Sequence, residues 1–531
     1  MTWLALAVLI PMSQGLADEA PLGEAPGIDG GFDALAPAEP ADGGALEIAT
    51  TVEEEAVAPA TPWWSKVLEV TGYLDSRTSF TRSRTWGLVP TDALPQLEEL
   101  FEFNTQVRVK VRERSYLYSD VSMVADIAGQ YHGRDASGQD VQVQNQAPKP
   151  VVSLNELYVL HDFMPQLNLV VGKKRIVWGS GLAFNPTDLL NPRRDPTDPT
   201  FQRAGAWVAQ VEVPYETMTF SVLFAPTVLT STNGIPTSFM LYPTWKDANG
   251  QSAHLDDLVH YQLAARWYAL VADADLTLMA FYGNSSVDVF RDKLRFGLSF
   301  SRYFFTDYEL HVEALFQQGS ARDSVVPQCV PSLADAAVCA FTKTAFMEKR
   351  LLGASAVYPR ILVGTKRQFS DDSLISLEYL YQSDGWAKGQ FQDYANGLGL
   401  IEQGRALKLP VGQLPGVGQL LGQSTADGLP TRFNFDPKGQ HYLFLTVQKP
   451  RLFDDFTLQL VLLANLTDLS TVWTPSIAWS ATEWLTVTLY GFLPLQGPDS
   501  LAVKTPAGTR VSEFGVSPFA VRAMLEARAY F

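Results

Sequence analysis

The last eleven residues, Val521 to Phe531, constrain the fold more than any other stretch of the chain. Every second residue is apolar: Ala523, Leu525, Ala527, Ala529 and Phe531. The positions between them include Arg522, Glu526, Arg528 and Tyr530. Successive side chains of a β-strand point to opposite faces, so this stretch predicts a strand with one apolar and one charged face. In a membrane barrel the apolar face meets lipid, the charged face meets a wet lumen, and Phe531 closes the barrel within an aromatic girdle.

The same alternation recurs along the chain after Trp63 and Trp64. It predicts an all-β fold, a transmembrane antiparallel up-and-down barrel of about eighteen strands (16–18), because soluble sandwiches lack the regular alternation of short and long connections seen here. Short periplasmic turns alternate with long external loops, and only 467–469 is short where a long loop is due. The predicted strands are 66–80, 100–114, 116–130, 151–163, 166–178, 206–213, 217–228, 258–271, 274–285, 293–305, 307–319, 351–367, 373–383, 440–449, 455–466, 470–480, 483–493 and 520–531.

Charged residues on the predicted strands define the inner face of the barrel. An Arg or Lys facing lipid near the bilayer midplane costs about 2–4 kcal/mol, so these side chains are expected to face water. One interpretation is a basic lumen that selects anions or guides an acidic polymer. The other is that these cations pair with inner carboxylates and only hold the wall together. The predicted lumen residues are Arg77, Arg108, Lys110, Arg112, Arg114, His260, Arg266 and Arg295.

The N-terminal region differs from the predicted barrel, residues 63–531. Residues 1–17 contain a short apolar core and end in small residues, which is typical of a signal peptide, although the region has no Lys or Arg. Residues 18–62 hold eleven acidic residues, no Lys or Arg, and much Ala and Pro, which predicts a disordered periplasmic linker. These residues leave only −6 of the net charge of −17 on the rest of the chain, so nothing indicates a nucleic-acid partner.

The loop 179–205 is the most distinctive connection. Its Asn-Pro and Asp-Pro pairs favour extended or turn geometry, which predicts an ordered loop. Apolar residues such as Phe184 and Leu189 would be exposed if the loop capped the barrel from outside. Folding into the lumen as a constriction would cover them, and both arrangements are open from the sequence. The predicted constriction residues are Asn185, Asp188, Asn191, Arg193, Arg194, Asp195, Asp198 and Arg203.

Gly172-Lys173-Lys174-Arg175 leads through Trp178-Gly179 into Asn185-Pro186-Thr187-Asp188 and Asn191-Pro192. This stretch resembles bacterial outer-membrane porin-like β-barrels, which are related in style to alginate-export and other polysaccharide-export barrels. The resemblance covers some thirty residues and the overall architecture. It implies insertion into the outer membrane, and with the terminal Phe it implies recognition by the barrel assembly machinery.

Other site types have weaker support in the sequence. Cys329 and Cys339 lie in one predicted external loop, where a disulfide is favoured over two free thiols. The repeated Asp-Pro-Thr at 195–200 is more typical of turn chemistry than of a calcium site, so no metal is predicted. The six histidines lie on different elements, so neither catalytic residues nor a cofactor are predicted.

The leading hypothesis is an outer-membrane channel that passes polar, anionic solutes through a basic lumen constricted by the inward loop. One alternative is an exporter of an acidic polysaccharide that works with periplasmic export proteins. Another is a plugged barrel that acts as a surface adhesion or scaffold protein. The expected partners are the lipid bilayer and the assembly machinery, and the sequence leaves the oligomeric state open.

Overall fold

The structure, a computed structural model, describes most of the predicted barrel region. The described residues are 67–83, 96–112, 114–134, 140–144, 151–190, 205–226, 261–283, 293–305, 307–320, 323–328, 344–349, 352–392, 395, 437–504, 508, 510–517 and 519–531.

The described residues form twenty-three β-strands, a 3₁₀ turn, Phe514–Val516, and a short α-helical stretch at 388–392. In chain order the strands are β1 (Leu68–Ser83), β2 (Gln96–Arg112), β3 (Ser115–Arg134), β4 (Asp140–Gln144), β5 (Val151–Met164), β6 (Leu167–Lys174), β7 (Ala206–Tyr215), β8 (Met218–Pro226), β9 (Tyr261–Val271), β10 (Ala274–Gly283), β11 (Lys293–Phe304), β12 (Tyr308–Ser320), β13 (Asp323–Gln328), β14 (Thr344–Lys349), β15 (Leu352–Gln368), β16 (Leu374–Gln382), β17 (His441–Leu452), β18 (Phe456–Asn465), β19 (Thr471–Thr482), β20 (Leu485–Leu495), β21 (Val503–Lys504), β22 (Arg510–Val511) and β23 (Phe519–Tyr530).

Eighteen of these strands form one closed antiparallel barrel, which confirms the predicted fold class. Each strand pairs with its neighbour in the chain, and β1 pairs with both β2 and β23. At the seam, Phe531 and Gly72 exchange two backbone hydrogen bonds of 3.0 Å. The ring of Phe531 stacks on Phe103 with centroids 5.9 Å apart. Among the described strands, the short strand β4 pairs only with β3, while β13–β14 and β21–β22 form two separate hairpins.

The two rims of the barrel differ in the length of their connections. The short-turn rim carries the eight connections 113–114, 165–166, 216–217, 272–273, 305–307, 369–373, 453–455 and 483–484. The long-loop rim carries the other nine, of which 466–470 is the short exception expected from the sequence. Ala272 and Asp273 both have positive φ, 51° and 60°, which is the geometry that suits two-residue hairpin turns.

The two faces of the wall have opposite character. Large apolar side chains are exposed on the outer face, such as Phe296 (53% exposed), Phe316 (43%) and Val363 (42%). Positions of the opposite parity on the same strands, such as Arg295 and Glu313, point inward and are buried. Within the described ranges, no helix is long and apolar enough to cross a membrane.

Several predicted strand boundaries are wrong. The predicted strand 166–178 ends at Lys174, because the chain turns away from the sheet there, and β2 begins at Gln96 rather than at residue 100. The hairpins β13–β14 and β21–β22 were not predicted. They lie within long connections, where no lipid-facing side imposes a regular alternation.

Candidate functional site

After β6 the chain turns into the barrel and forms the lumen segment, defined here as residues 175–190. Gly172 has a φ of 137°, and a Cβ at this position would lie 2.2 Å from the carbonyl oxygen of Leu157, so only glycine fits. The backbone N–H of Arg175 then donates to Glu156 on β5 at 2.6 Å instead of continuing the strand pairing. The chain therefore leaves the wall at this point and runs along the inner face.

Two buried carboxylates hold the lumen segment by its backbone. Glu313 on β12 accepts hydrogen bonds from the N–H groups of Ser180 and Gly181 and from the hydroxyl of Thr187, the last at 3.0 Å. Glu378 on β16 accepts three more N–H groups: Leu182 at 2.5 Å, Ala183 at 2.9 Å and Phe184 at 3.2 Å. Neither carboxylate side chain is exposed. Each buried charge therefore satisfies main-chain donors that an irregular segment would otherwise leave without partners.

Apolar side chains anchor both halves of the segment to the wall. Trp178 packs against Phe281 on β10 with ring centroids 5.7 Å apart, in a cluster that also holds Leu223 and Met279. Phe184 packs against Tyr442 and Phe444 on β17, with centroids 6.3 and 6.1 Å apart. The segment thus covers the apolar inner surface between β7 and β19.

A second loop, the connection between β20 and β23, also lies on the inner side of the long-loop rim. Its position was not predicted from the sequence. We call the hydrogen-bonded group Lys438, Tyr442, Asn465, Asp468, Ser470 and Glu513 the rim clamp. Glu513 accepts from the Lys438 N–H (2.9 Å), the Tyr442 hydroxyl (2.7 Å) and the Asn465 amide (2.6 Å), while its own N–H donates to Asp468 (2.6 Å). Burial raises the pKa of Glu513. Phe514 then packs on Tyr442 and joins the cluster around Phe184, so three connections and the lumen segment form one packed unit.

A polar cavity lies between the beginning of the lumen segment and the inner face of β9–β11. Its volume is about 180 Å³. Three cations line it, Lys174, Arg175 and Arg266, together with one carboxylate, Asp275. The other lining residues are Val177, Gly179, Ser180, Thr277, Ser299 and Ser301. The hydroxyls of Ser180 and Ser299 lie 3.0 Å apart and belong to the segment and the wall respectively. Cations and hydroxyl donors together form a surface that suits an anion.

The predicted lumen residue Arg77 lies in a compact ion-pair cluster on the inner face of β1, β2 and β23. Its guanidinium contacts Asp75 at 2.6 Å, Glu102 at 3.0 Å and Glu526 at 3.1 Å. Arg528 contacts Asp75 and Glu526, both at 3.2 Å. Two cations meet three carboxylates here, so Arg77 does not contribute a separate basic site. This pairing matches the second of the two interpretations that the sequence allows for the inner cations.

The other predicted residues fall into four groups. Arg108, Lys110, Arg112 and Arg114 lie at the end of β2 and in its turn, at the short-turn rim rather than at mid-lumen. Arg266 lies in the cavity wall, and Arg295 is buried on β11. In the lumen segment, Asn185 accepts the N–H of Asp188 at 3.0 Å and closes a turn. Outside the described residues lie His260, Asn191, Arg193, Arg194, Asp195, Asp198, Arg203, Cys329 and Cys339.

Within the described ranges no group of three or more His, Cys, Asp and Glu side chains is arranged to hold a metal ion.

The cations that line the cavity include Lys174 and Arg175, which were not among the lumen residues predicted from the sequence. Lys174 has the inward parity of the buried Val170 and could have been selected by two-residue counting. Arg175 lies past the end of β6, where this counting no longer applies.

No protein-family model and no curated protein matches the sequence. Solved structures do align over 87% of this chain. Pseudomonas aeruginosa OccK7 (OpdD) has 11% identity, a TM-score of 0.42 and 99% of its own chain covered. Acinetobacter baumannii OccAB1 has 8% identity, a TM-score of 0.46 and 96% coverage. The outer membrane protein opdK from Pseudomonas aeruginosa has 7% identity, a TM-score of 0.41 and 98% coverage. With identities and TM-scores this low, the barrel fold rests on the strand pairing described above. None of the three is described as an alginate exporter.

Proposed function

We propose that this protein is an outer-membrane channel for small polar solutes with a preference for anions. The observation that carries the proposal is the cavity beside the lumen segment, which is lined by three cations, Lys174, Arg175 and Arg266, and by one carboxylate, Asp275. Glu156 and Glu212 lie near these cations but outside the cavity lining. A closed barrel of eighteen strands is wide enough to enclose an aqueous interior, and its exposed apolar outer face suits a bilayer.

The lumen segment supports a channel for small solutes over an exporter of a polymer. The segment covers the inner surface from β7 to β19 and is fixed by Glu313, Glu378 and two apolar clusters. A polysaccharide chain would have to share the lumen with this fixed segment along the whole length of the segment. A small anion needs only the space beside the segment. The same cavity is an interior polar feature that an adhesion or scaffold role would not require.

Conductance and ion selectivity of the purified protein in planar bilayers test this proposal. We expect ionic current with a preference for chloride over potassium. The double variant Arg175→Ala, Arg266→Ala should lower the anion-to-cation permeability ratio by about 2–3-fold, because charges in a narrow aqueous path set the local ion concentration.

Arg367→Ala is the matched control, since Arg367 lies on the outer face at the short-turn rim, with 54% of its side chain exposed. It should leave the permeability ratio unchanged. Complete absence of current from the folded protein would overturn the channel proposal. Current with the same ratio in the double variant and in the wild type would overturn the anion site alone.

A further inference from the structure

Four cations form a basic column at the short-turn rim: Arg108, Lys110, Arg112 and Arg114. The last three are exposed, and no described residue forms an ion pair with any of them. Arg108 stacks on Tyr116 at 4.5 Å and lies 4.0 Å from Glu69, but 47% and 63% of these two charged side chains are exposed. An exposed pair at this distance neutralises little of the column.

The rest of the short-turn rim has the opposite charge. Six of the other seven short connections contain at least one acidic residue, and none of the seven contains Lys or Arg. The acidic residues are Glu216, Asp273, Asp307, Asp371, Asp372, Asp454, Asp455 and Glu483. The cations beside these turns, Arg367, Lys449 and Arg451, pair with Asp307, Asp371 and Asp372. The basic column at the turn between β2 and β3 therefore attracts an acidic polymer more strongly than these paired cations do.

The chain itself contains an acidic segment, which precedes β1 in the sequence. Residues 18–62 hold eleven carboxylates and no Lys or Arg, with three of the carboxylates consecutive at Glu53-Glu54-Glu55. The segment precedes β1, which pairs with the strand that carries the basic column. Lys110 donates its N–H to the carbonyl oxygen of Val67 at 2.7 Å, at the beginning of the described chain. Twelve residues separate Glu55 from Val67, a reach of at most about 40 Å.

We propose that the acidic segment 18–62 docks in cis on the basic column, with Glu53, Glu54 and Glu55 on Lys110, Arg112 and Arg114. Tethering beside its target gives the segment an effective concentration on the order of millimolar, so even weak charge pairing suffices for docking. The docked segment screens the column from anions at this mouth of the barrel. Docking itself does not depend on the proposed conductance.

Carbodiimide cross-linking of the full chain, followed by peptide mass spectrometry, tests the docking. The reagent joins a lysine amine to a carboxylate that it contacts. We expect an amide between Lys110 and one of Glu53, Glu54 or Glu55, with its yield reduced about tenfold in 1 M salt, where the Debye length is about 3 Å. Lys449 and Asp371, whose charged atoms lie 2.8 Å apart on the same rim, provide an internal positive control.

A double variant separates docking from chance proximity. Arg112→Ala, Arg114→Ala should lower the Lys110 cross-link several-fold and leave the Lys449–Asp371 cross-link unchanged. The proposal is overturned if Lys110 forms no cross-link to residues 18–62 while the Lys449 control reacts, or if the double variant retains the wild-type yield. Mixing isotopically light and heavy protein identifies docking in trans, and a cross-link found only between chains would also overturn it.

Discussion

Glu313 and Glu378 show how single residues can fix an irregular segment inside a barrel. Each carboxylate is fully buried, and each accepts several donors from the lumen segment. A buried charge is costly unless hydrogen bonds satisfy it, and unpaired backbone N–H groups are costly as well. Hydrogen bonds between the buried carboxylate and the backbone N–H groups offset both costs. The segment therefore depends on a few side chains from distant strands more than on its own local sequence.

Gly179→Ala should loosen the lumen segment. Gly179 has a φ of 115°, and an added Cβ would lie 2.5 Å from Oε1 of Glu313 and 2.6 Å from Oδ1 of Asn185. We expect a local destabilisation of about 1–3 kcal/mol. Hydrogen-exchange mass spectrometry of peptides within 176–190 should show faster exchange.

Gly389→Ala is the control for this substitution, because a Cβ added at Gly389 would have no atom within 4 Å. It should leave exchange in the lumen segment unchanged. If Gly179→Ala keeps the protection of the wild type, the close packing described for Gly179 is wrong.

At the scale of elements, the position of the lumen segment against the barrel wall is predicted to depend on the negative charge of Glu378. Glu378→Gln keeps the size of the side chain but leaves one acceptor oxygen and adds an NH₂ group facing the N–H groups of residues 182–184. A loss of about 1–3 kcal/mol is expected for the contact. Faster exchange at residues 182–184 and larger single-channel conductance should follow.

Glu102→Gln provides the comparison for Glu378→Gln. Glu102 is also a buried carboxylate on the inner face, where it accepts from the Tyr73 hydroxyl at 3.0 Å and contacts Arg77 at 3.0 Å, and neither contact involves the lumen segment. Equal effects of the two variants would mean that the loss of any inner carboxylate loosens the segment, contrary to the specific role assigned to Glu378.

Elements with one lipid-facing side were the most predictable from the sequence. The alternation in β23 and in β11 follows directly from the two environments of the wall, so both the strands and the closed fold could be predicted. The rim clamp could not be predicted, because Glu513 and Phe514 lie in an ordinary-looking loop and their partners Tyr442 and Asn465 are far away in sequence. The pairing of Arg77 with three carboxylates was also inaccessible, since it requires the register of three strands.

For the whole molecule, the seam between β1 and β23 decides whether a barrel exists at all. Deleting 519–531 leaves β1 and β20 at the open edges, and these two strands run in the same direction, so they cannot close the antiparallel ring. Open strand edges in lipid leave backbone groups without partners, at several kcal/mol each. We expect no compact, heat-modifiable band of the deletion variant on semi-native gels.

Phe531→Ala separates closure from terminal packing. It removes the stacking on Phe103, a contribution of about 0.5–1.5 kcal/mol, together with the packing of the ring over Gly72, and keeps the backbone pairing with Gly72. This variant should still give the compact band, with a slightly lower unfolding temperature. A compact band from the deletion variant would show that the seam is dispensable.

The direction of the strands at the seam also limits how such a gene can change over evolutionary time. Duplicating or losing one strand would bring two strands of the same direction together, whereas duplicating or losing a hairpin restores the alternation. Descendants of this sequence are therefore expected to differ in strand number by whole hairpins. A wider or narrower barrel should likewise be engineered by adding or removing two consecutive strands at a time.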